Sequence, residues 1–249
     1  MRRRIDLACA WCGPVFLVLF GIGLVPLAGF LPPPAANDSA AQVAKLYSEH
    51  HFRLQAGLSL MLCSTAFIAP WVAVISSQLR RIRLPGITTL VYGQLVAGGA
   101  FIFVVVAPVI TMIVASFRPE RNPEITQALN DLAWIPFIMV FTTLMAQMGV
   151  VAAAVLLDRH QQVFPRWLGH VSAWCAVALL PAAALPFHKS GPLAWQGILQ
   201  FWLAAALFFG WFAAMSVALI RAISAQPADV DIDVDRDAGP RPIPSATLR

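Results

Sequence analysis

The chain has 249 residues, of which 59% are hydrophobic and only 12% charged. That charged share is about half of what a soluble domain uses to cover its surface, so a water-facing globular fold is excluded and a bilayer is the fitting solvent. The net charge of +5 does not point to nucleic acid, because the basic residues are neither gathered on one face nor interleaved with exposed aromatics.

Met1-Arg2-Arg3-Arg4 precedes an apolar run that is too long for the core of a cleavable signal, so an uncleaved first helix is expected. Crossings are predicted at Leu7–Phe30, Leu54–Leu79, Ile87–Ala115, Leu132–Leu157, His170–Pro186 and Ile198–Ile220. Inside hydrocarbon the backbone must satisfy its own N–H and C=O groups, and no alternating strand pattern is present. The expected fold class is therefore an all-α membrane protein, a six-transmembrane-helix bundle.

Between the first two runs, Leu31-Pro32-Pro33-Pro34 is extended by its prolines and Ser39 with Gln42 matches a capping box. Ala40, Val43, Ala44 and Tyr47 then recur at helical spacing, which predicts a short amphipathic helix on the outer surface. The second outer loop repeats the device with Asn122 as N-cap, Pro123 at the first helical position and Glu124 in the first turn. An outer segment leading into a helix that ends in basic residues occurs three times, a hydropathy pattern that predicts three helical hairpins.

Arg2 to Arg4, Arg80, Arg81, Arg83, Arg159, Arg166 and Arg221 all fall on one side of a six-helix count. The opposite loops offset their bases with acids, so the arginine side is expected in the cytoplasm, with both termini there. Trp134 and Trp195 on the outer side, with Trp11 and Trp167 on the inner, are expected as interfacial anchors. After Arg221 the composition changes: Asp229, Asp231, Asp233, Asp235 and Asp237 alternate with other residues ahead of a proline-rich end. Residues 1–221 are read as the transmembrane domain and 222–249 as a disordered cytoplasmic tail, whose acids are candidates for pairing with the inner arginines. A calcium loop begun at Asp233 would need glycine at Ala238 and glutamate at Pro244, so calcium is not expected.

Few residues carry chemistry. His50, His51 and His188 fall at one depth and are the candidate ligands for zinc or haem, although interfacial histidines are common where helices leave a membrane. Cys9 and Cys12 have redox spacing without the strand-then-helix context, so packing is favoured and free thiols are expected. The crossings lack buried charge, which disfavours ion coupling, and no nucleotide-binding glycine loop occurs. No cofactor is expected. Pro26, Pro70, Pro108, Pro136 and Pro181 are predicted kink sites that would splay the outer half and leave a pocket. Ala206, Gly210, Ala214 and Ala218 form a small-residue ladder with Gly93 and Ala97 as a matching face, for packing within the bundle or against another subunit.

Phe30-Leu31-Pro32-Pro33-Pro34, Asp38-Ser39-Ala40, Val43-Ala44, Leu46-Tyr47, Arg53-Leu54 and Arg80-Arg81-Ile82 resemble a group of uncharacterised actinobacterial multi-pass inner-membrane proteins. The resemblance implies a bacterial inner (plasma) membrane and hands no residue a role. The expected function is non-enzymatic: binding of an apolar or amphiphilic molecule, or service as an accessory subunit of a membrane complex. The alternatives are a small transporter of hydrophobic solutes and a metal- or haem-dependent membrane enzyme. Membrane lipid is the expected partner, with a membrane protein or a second copy of the chain as further candidates.

Overall fold

The computed structural model describes residues 2–139 and 141–226. Among them no strand occurs, and six helical stretches are long and apolar enough to cross a membrane: Arg3–Leu27, His51–Leu79, Ile87–Phe117, Pro123–Leu157, Arg166–Phe187 and Ile198–Ser224. The chain is an all-α six-helix bundle of the multi-pass membrane type. Large apolar side chains stand on its outer surface, with Phe52 85%, Phe103 72% and Trp174 74% exposed, an arrangement suited to hydrocarbon and hazardous in water.

The first span is α1 (Arg2–Ile22) ending in a π-turn (Gly23–Leu27), and a short helix α2 (Ala40–Glu49) follows. The second span joins α3 (His51–Ser64) to α4 (Ile68–Leu79) through a 3-10 turn, Thr65–Phe67. The third is the single helix α5 (Ile87–Phe117), and the fourth is α6 (Pro123–Ile138) followed by α7 (Phe141–Leu157). The fifth passes from α8 (Arg166–Ala178) into a 3-10 stretch, Leu180–Phe187, and the sixth from a π-turn, Ile198–Trp202, into α9 (Leu203–Ser224). Consecutive spans pack side by side, so each of the three expected hairpins is a packed pair, and α9 closes the ring against α1.

Prolines explain most of the breaks, since each removes an N–H from the i to i−4 ladder. Beyond Pro26 the Ala28 N–H reaches back five residues to the Gly23 carbonyl at 2.8 Å, which makes the π-turn. Pro70 leaves the Ala66 carbonyl without its helical donor, while Ser64 and Thr65 bond back to the carbonyls of Met61 and Leu62 at 2.6 and 2.7 Å, tightening the chain into the 3-10 turn. Pro136 stands two residues before α6 ends and Pro181 opens the 3-10 stretch of the fifth span. Pro108 differs, lying inside the unbroken α5.

Both described chain ends lie at one end of the bundle, where the Arg3 guanidinium donates to the Ser224 carbonyl at 2.7 Å. At the opposite end the three connections are tied into a cap. The Ser39 hydroxyl accepts from the Gln42 N–H while Gln42 Oε1 accepts from the Ser39 N–H at 2.8 Å, the reciprocal capping box that starts α2. Asn122 Oδ1 accepts from the Glu124 N–H at 2.9 Å and starts α6. α2 lies on α6 with Val43 and Tyr47 buried. Trp195 Nε1 donates to the Pro34 carbonyl at 2.7 Å, the Ala36 N–H to Gln196 at 3.1 Å, and Gln127 to the Asp38 carbonyl at 2.9 Å.

Four expectations need correction or extension. The fourth span begins at Pro123 rather than Leu132, because the helix started by Asn122 and Pro123 meets no breaker before Pro136. The second span begins at His51, directly after the one residue that separates it from α2. The last helix runs to Ser224, past the boundary expected at 221, while residues 227–249, on which most of the predicted tail falls, lie outside the described residues. Trp134 and Trp195 are not interfacial anchors: they are 0% and 5% exposed. Trp134 instead packs edge-on against Phe30 with ring centres 5.3 Å apart, whereas Trp11 and Trp167 keep 56% and 44% exposure.

Candidate functional site

Aromatic side chains from the spans pack against one another in the core. Toward the end that carries the chain termini, Trp71 of α4 stacks on Phe212 of α9 at 4.2 Å and meets Trp211 edge-on at 5.8 Å. Both indoles are buried and hydrogen-bonded, Trp71 to the Ser216 hydroxyl at 3.0 Å and Trp211 to the Ser172 hydroxyl at 2.9 Å. Burying an indole N–H without an acceptor is costly, and these two serines meet that demand. Gly13 makes room for them, since a Cβ there would strike Trp71 and lie 2.5 Å from the Ser216 hydroxyl. Phe16, Phe101 and Phe208 continue the packing, with Phe101 and Phe208 at 5.9 Å.

Above that layer the core opens into a cavity of ≈ 80 Å³. Its wall is carbon: Phe20 and Leu24 from the first span, Phe101 and Val105 from α5, Phe137, Ile138, Phe141 and Leu144 from the fourth, Leu179 from the fifth, and Ala204, Ala205 and Phe208 from the sixth. The opening lies where α6 gives way to α7, where α8 turns into the 3-10 stretch, and where the sixth span leaves its π-turn. Irregular helix geometry at that level keeps the six spans from closing on one another.

Buried polar side chains stand behind this lining on the side of the cap. Asn130 and Trp134 stand one turn apart on α6, and the Trp134 ring packs against Phe137 at 5.6 Å and Phe201 at 6.2 Å, both cavity residues. Trp134 Nε1 and Gln200 Oε1 are buried without a hydrogen-bond partner, whereas the Asn130 side chain lies against the Asp131 carboxylate. Their residues are otherwise held in place. Asn130 Oδ1 accepts from the Tyr47 hydroxyl at 3.1 Å, and Gln200 Nε2 donates to the Pro181 carbonyl at 2.8 Å. The residues next to the lining thus hold one unpaired donor and one unpaired acceptor, both uncharged and both covered by their neighbours.

The Tyr47 phenol is 1% exposed. Loss of hydration raises its pKa well above the usual value of 10.0, and the nearby Asp131 carboxylate raises it further. It stays a neutral donor across the physiological range.

The predicted ligand histidines do not come together: among the described residues no group of three or more His, Cys, Asp or Glu side chains is placed to hold a metal. His50 and His188 are exposed, the His188 ring bonding to the Ala184 carbonyl at 2.9 Å, while His51 keeps a buried Nδ1 without a partner. Cys9, Cys12, Cys63 and Cys175 are free thiols. The small-residue ladder of α9 is split by helix rotation, with Ala218 buried, Ala214 half-buried and both Ala206 and Gly210 exposed. Ala97 is buried and Gly93 sits 3.5 Å, measured from where its Cβ would be, from Val150 across the α5–α7 seam.

Sequence reasoning missed a close approach of two helix backbones. A Cβ on Gly57 would lie 2.6 Å from the Ala28 nitrogen and 2.7 Å from the Gly23 carbonyl oxygen, so the first two spans touch backbone to backbone. Arg53, one turn earlier on α3, donates to the Pro26 carbonyl from Nε at 2.9 Å and again from Nη2, which satisfies an acceptor near the π-turn. Gln94 of α5 and Gln147 of α7, intramembrane amides that the sequence singles out for bonds between helices, are both 0% exposed, and their amide ends lack partners. A glycine or glutamine in an apolar run signals such a role only once the helix rotation is known. No family profile, curated protein or solved structure matches the chain.

Proposed function

We propose that the protein is a non-enzymatic membrane component that holds an amphiphile with an uncharged hydrogen-bonding end and an apolar tail. A purely apolar guest gains little by leaving a bilayer, because lipid tails are as apolar as the cavity wall. Preference for a guest over lipid must therefore come from shape and from hydrogen bonds. The observation that carries the reading is the pairing of a carbon-lined cavity with buried, unpartnered Trp134 Nε1 and Gln200 Oε1 on residues that adjoin its lining side chains Phe137 and Phe201. A neutral hydroxyl or carbonyl supplies what those atoms lack, whereas a charged headgroup would face a large desolvation penalty there.

The experiment compares retention of a radiolabelled long-chain alcohol and the alkane of equal length by the full chain in nanodiscs. One hydrogen bond contributes about 0.5–1.5 kcal/mol, so the alcohol is expected to be favoured by about twofold to tenfold. Trp134→Phe is expected to remove that preference, and Ala205→Phe, which fills the cavity, to lower retention of both. Equal retention of alcohol and alkane by the unmodified protein sinks the reading.

We further infer a bacterial inner-membrane location with the arginine-bearing end in the cytoplasm. The support is the clustering of Arg80, Arg81, Arg83, Arg159, Arg166 and Arg221 at that end, together with the resemblance of the first third of the chain.

A further inference from the structure

At the end of the bundle that carries the chain termini, the connections between α4 and α5 and between α7 and α8 enclose an open, basic cleft of ≈ 670 Å³ lined by Arg81, Arg83, His160, Gln162 and Val163. Its walls are fixed by hydrogen bonds. The Arg83 N–H donates to Gln162 Oε1 at 3.2 Å, and the Asp158 carboxylate accepts from the N–H groups of His160 and Gln162 at 3.2 and 2.7 Å. Asp158 is 4% exposed and turned into that loop, while Arg83 and His160 are exposed at the cleft. Exposed Arg80, Arg159 and Arg166 stand on the same connections.

The described chain ends beside this cleft. Gln226 Nε2 donates to Gln78 Oε1 at 2.9 Å, and the same oxygen accepts from Arg81 at 2.7 Å. The next residues in sequence are the most acidic of the whole chain. From Asp229 to Asp237 there are five aspartates, at every second position, against the single Arg236. Asp229 lies three residues beyond Gln226, within about 10 Å of it at full extension, and Asp237 within about 40 Å. In an extended chain residues at every second position share a face, so all five carboxylates can address one surface.

We propose that residues 229–237 dock in this cleft, their aspartates facing Arg81, Arg83 and His160, and that the protein thereby covers its own basic surface. An anionic lipid headgroup offers similar charge, but the tethered segment starts one side chain away and competes at a high effective concentration. The contact is electrostatic and exposed, so salt weakens it.

The test uses the full chain in phosphatidylcholine nanodiscs, with the four native cysteines replaced by serine and nitroxide labels on Val163→Cys and Val234→Cys. A short, narrow inter-label distance is expected at low salt. It should lengthen and broaden in about 1 M NaCl, where the screening length is about 3 Å, and when the five aspartates become asparagine. A long, broad distribution that neither change alters overturns the proposal. So does shielding of the Val163→Cys label that arises only when phosphatidylglycerol is added, which assigns the cleft to lipid. A second measurement needs no cysteine replacement: trypsin cleavage after Arg236 is expected several-fold faster in Arg83→Gln than in the unmodified chain, and equal rates overturn the proposal.

Discussion

Tyr47 shows how much one side chain can hold. It fixes α2 on α6 through a buried hydrogen bond to Asn130 Oδ1. Tyr47→Phe leaves Asn130 Oδ1 buried and unpaired, so a loss of about 1–3 kcal/mol is expected from the resistance of the purified protein to heat or denaturant. The raised pKa sets the sign of the pH effect. Above pH 10 the unfolded phenol ionises while the folded one stays protonated, so the stability contribution is complete below that pH and declines above it. The gap between the unmodified chain and Tyr47→Phe should accordingly narrow as pH rises past 10. A gap that widens would refute burial as the cause of the shift.

Glycines give a second residue-scale contrast. Gly57→Ala places a methyl against the backbone of the first span, which cannot yield as a flexible side chain can, and a cost of about 1–3 kcal/mol is expected. Gly210 meets nothing within 4 Å. Gly210→Ala should be neutral or stabilising by up to about 1 kcal/mol through helix propensity alone. Parallel unfolding curves of the two variants read the opposite signs directly, and a Gly210→Ala loss as large as that of Gly57→Ala would place an undescribed contact on the outer face of α9.

Elements were legible in the sequence where local chemistry decides them. The Ser39–Gln42 box and the Asn122-Pro123 start depend on residues adjacent in the chain, so both helix starts lie where the pattern puts them. Pro26, Pro136 and Pro181 coincide with breaks for the same reason: the missing donor is a property of the residue itself. What the sequence left open is rotation about each helix axis. The spacing of Ala206, Gly210, Ala214 and Ala218 selects a stripe but not the direction it faces, and the structure turns half of it outward. Trp134 reads as an anchor by depth alone, yet its turn of α6 faces the axis. The cavity belongs to the same class, because it arises from the coincidence of breaks in three spans.

At the scale of the molecule, composition alone settles the class: a chain with so few charges can cover six apolar spans only with hydrocarbon. Orientation is the matching prediction. Reporter fusions after Ser224 and within the α4–α5 connection should be active as cytoplasmic enzymes, and a fusion near Lys189 should be active only as an exported one. Export of the Ser224 fusion would invert the proposed topology.

The packed rings in the core also bear on electrical behaviour. An ion needs a continuous file of water or of polar ligands, and the stacked Trp71 and Phe212 offer it neither. Opening a path would mean displacing indoles pinned to Ser216 and Ser172 at the same moment. That layer is thus insulating: a file of water could cross it only by prising apart rings that the two serines hold in place.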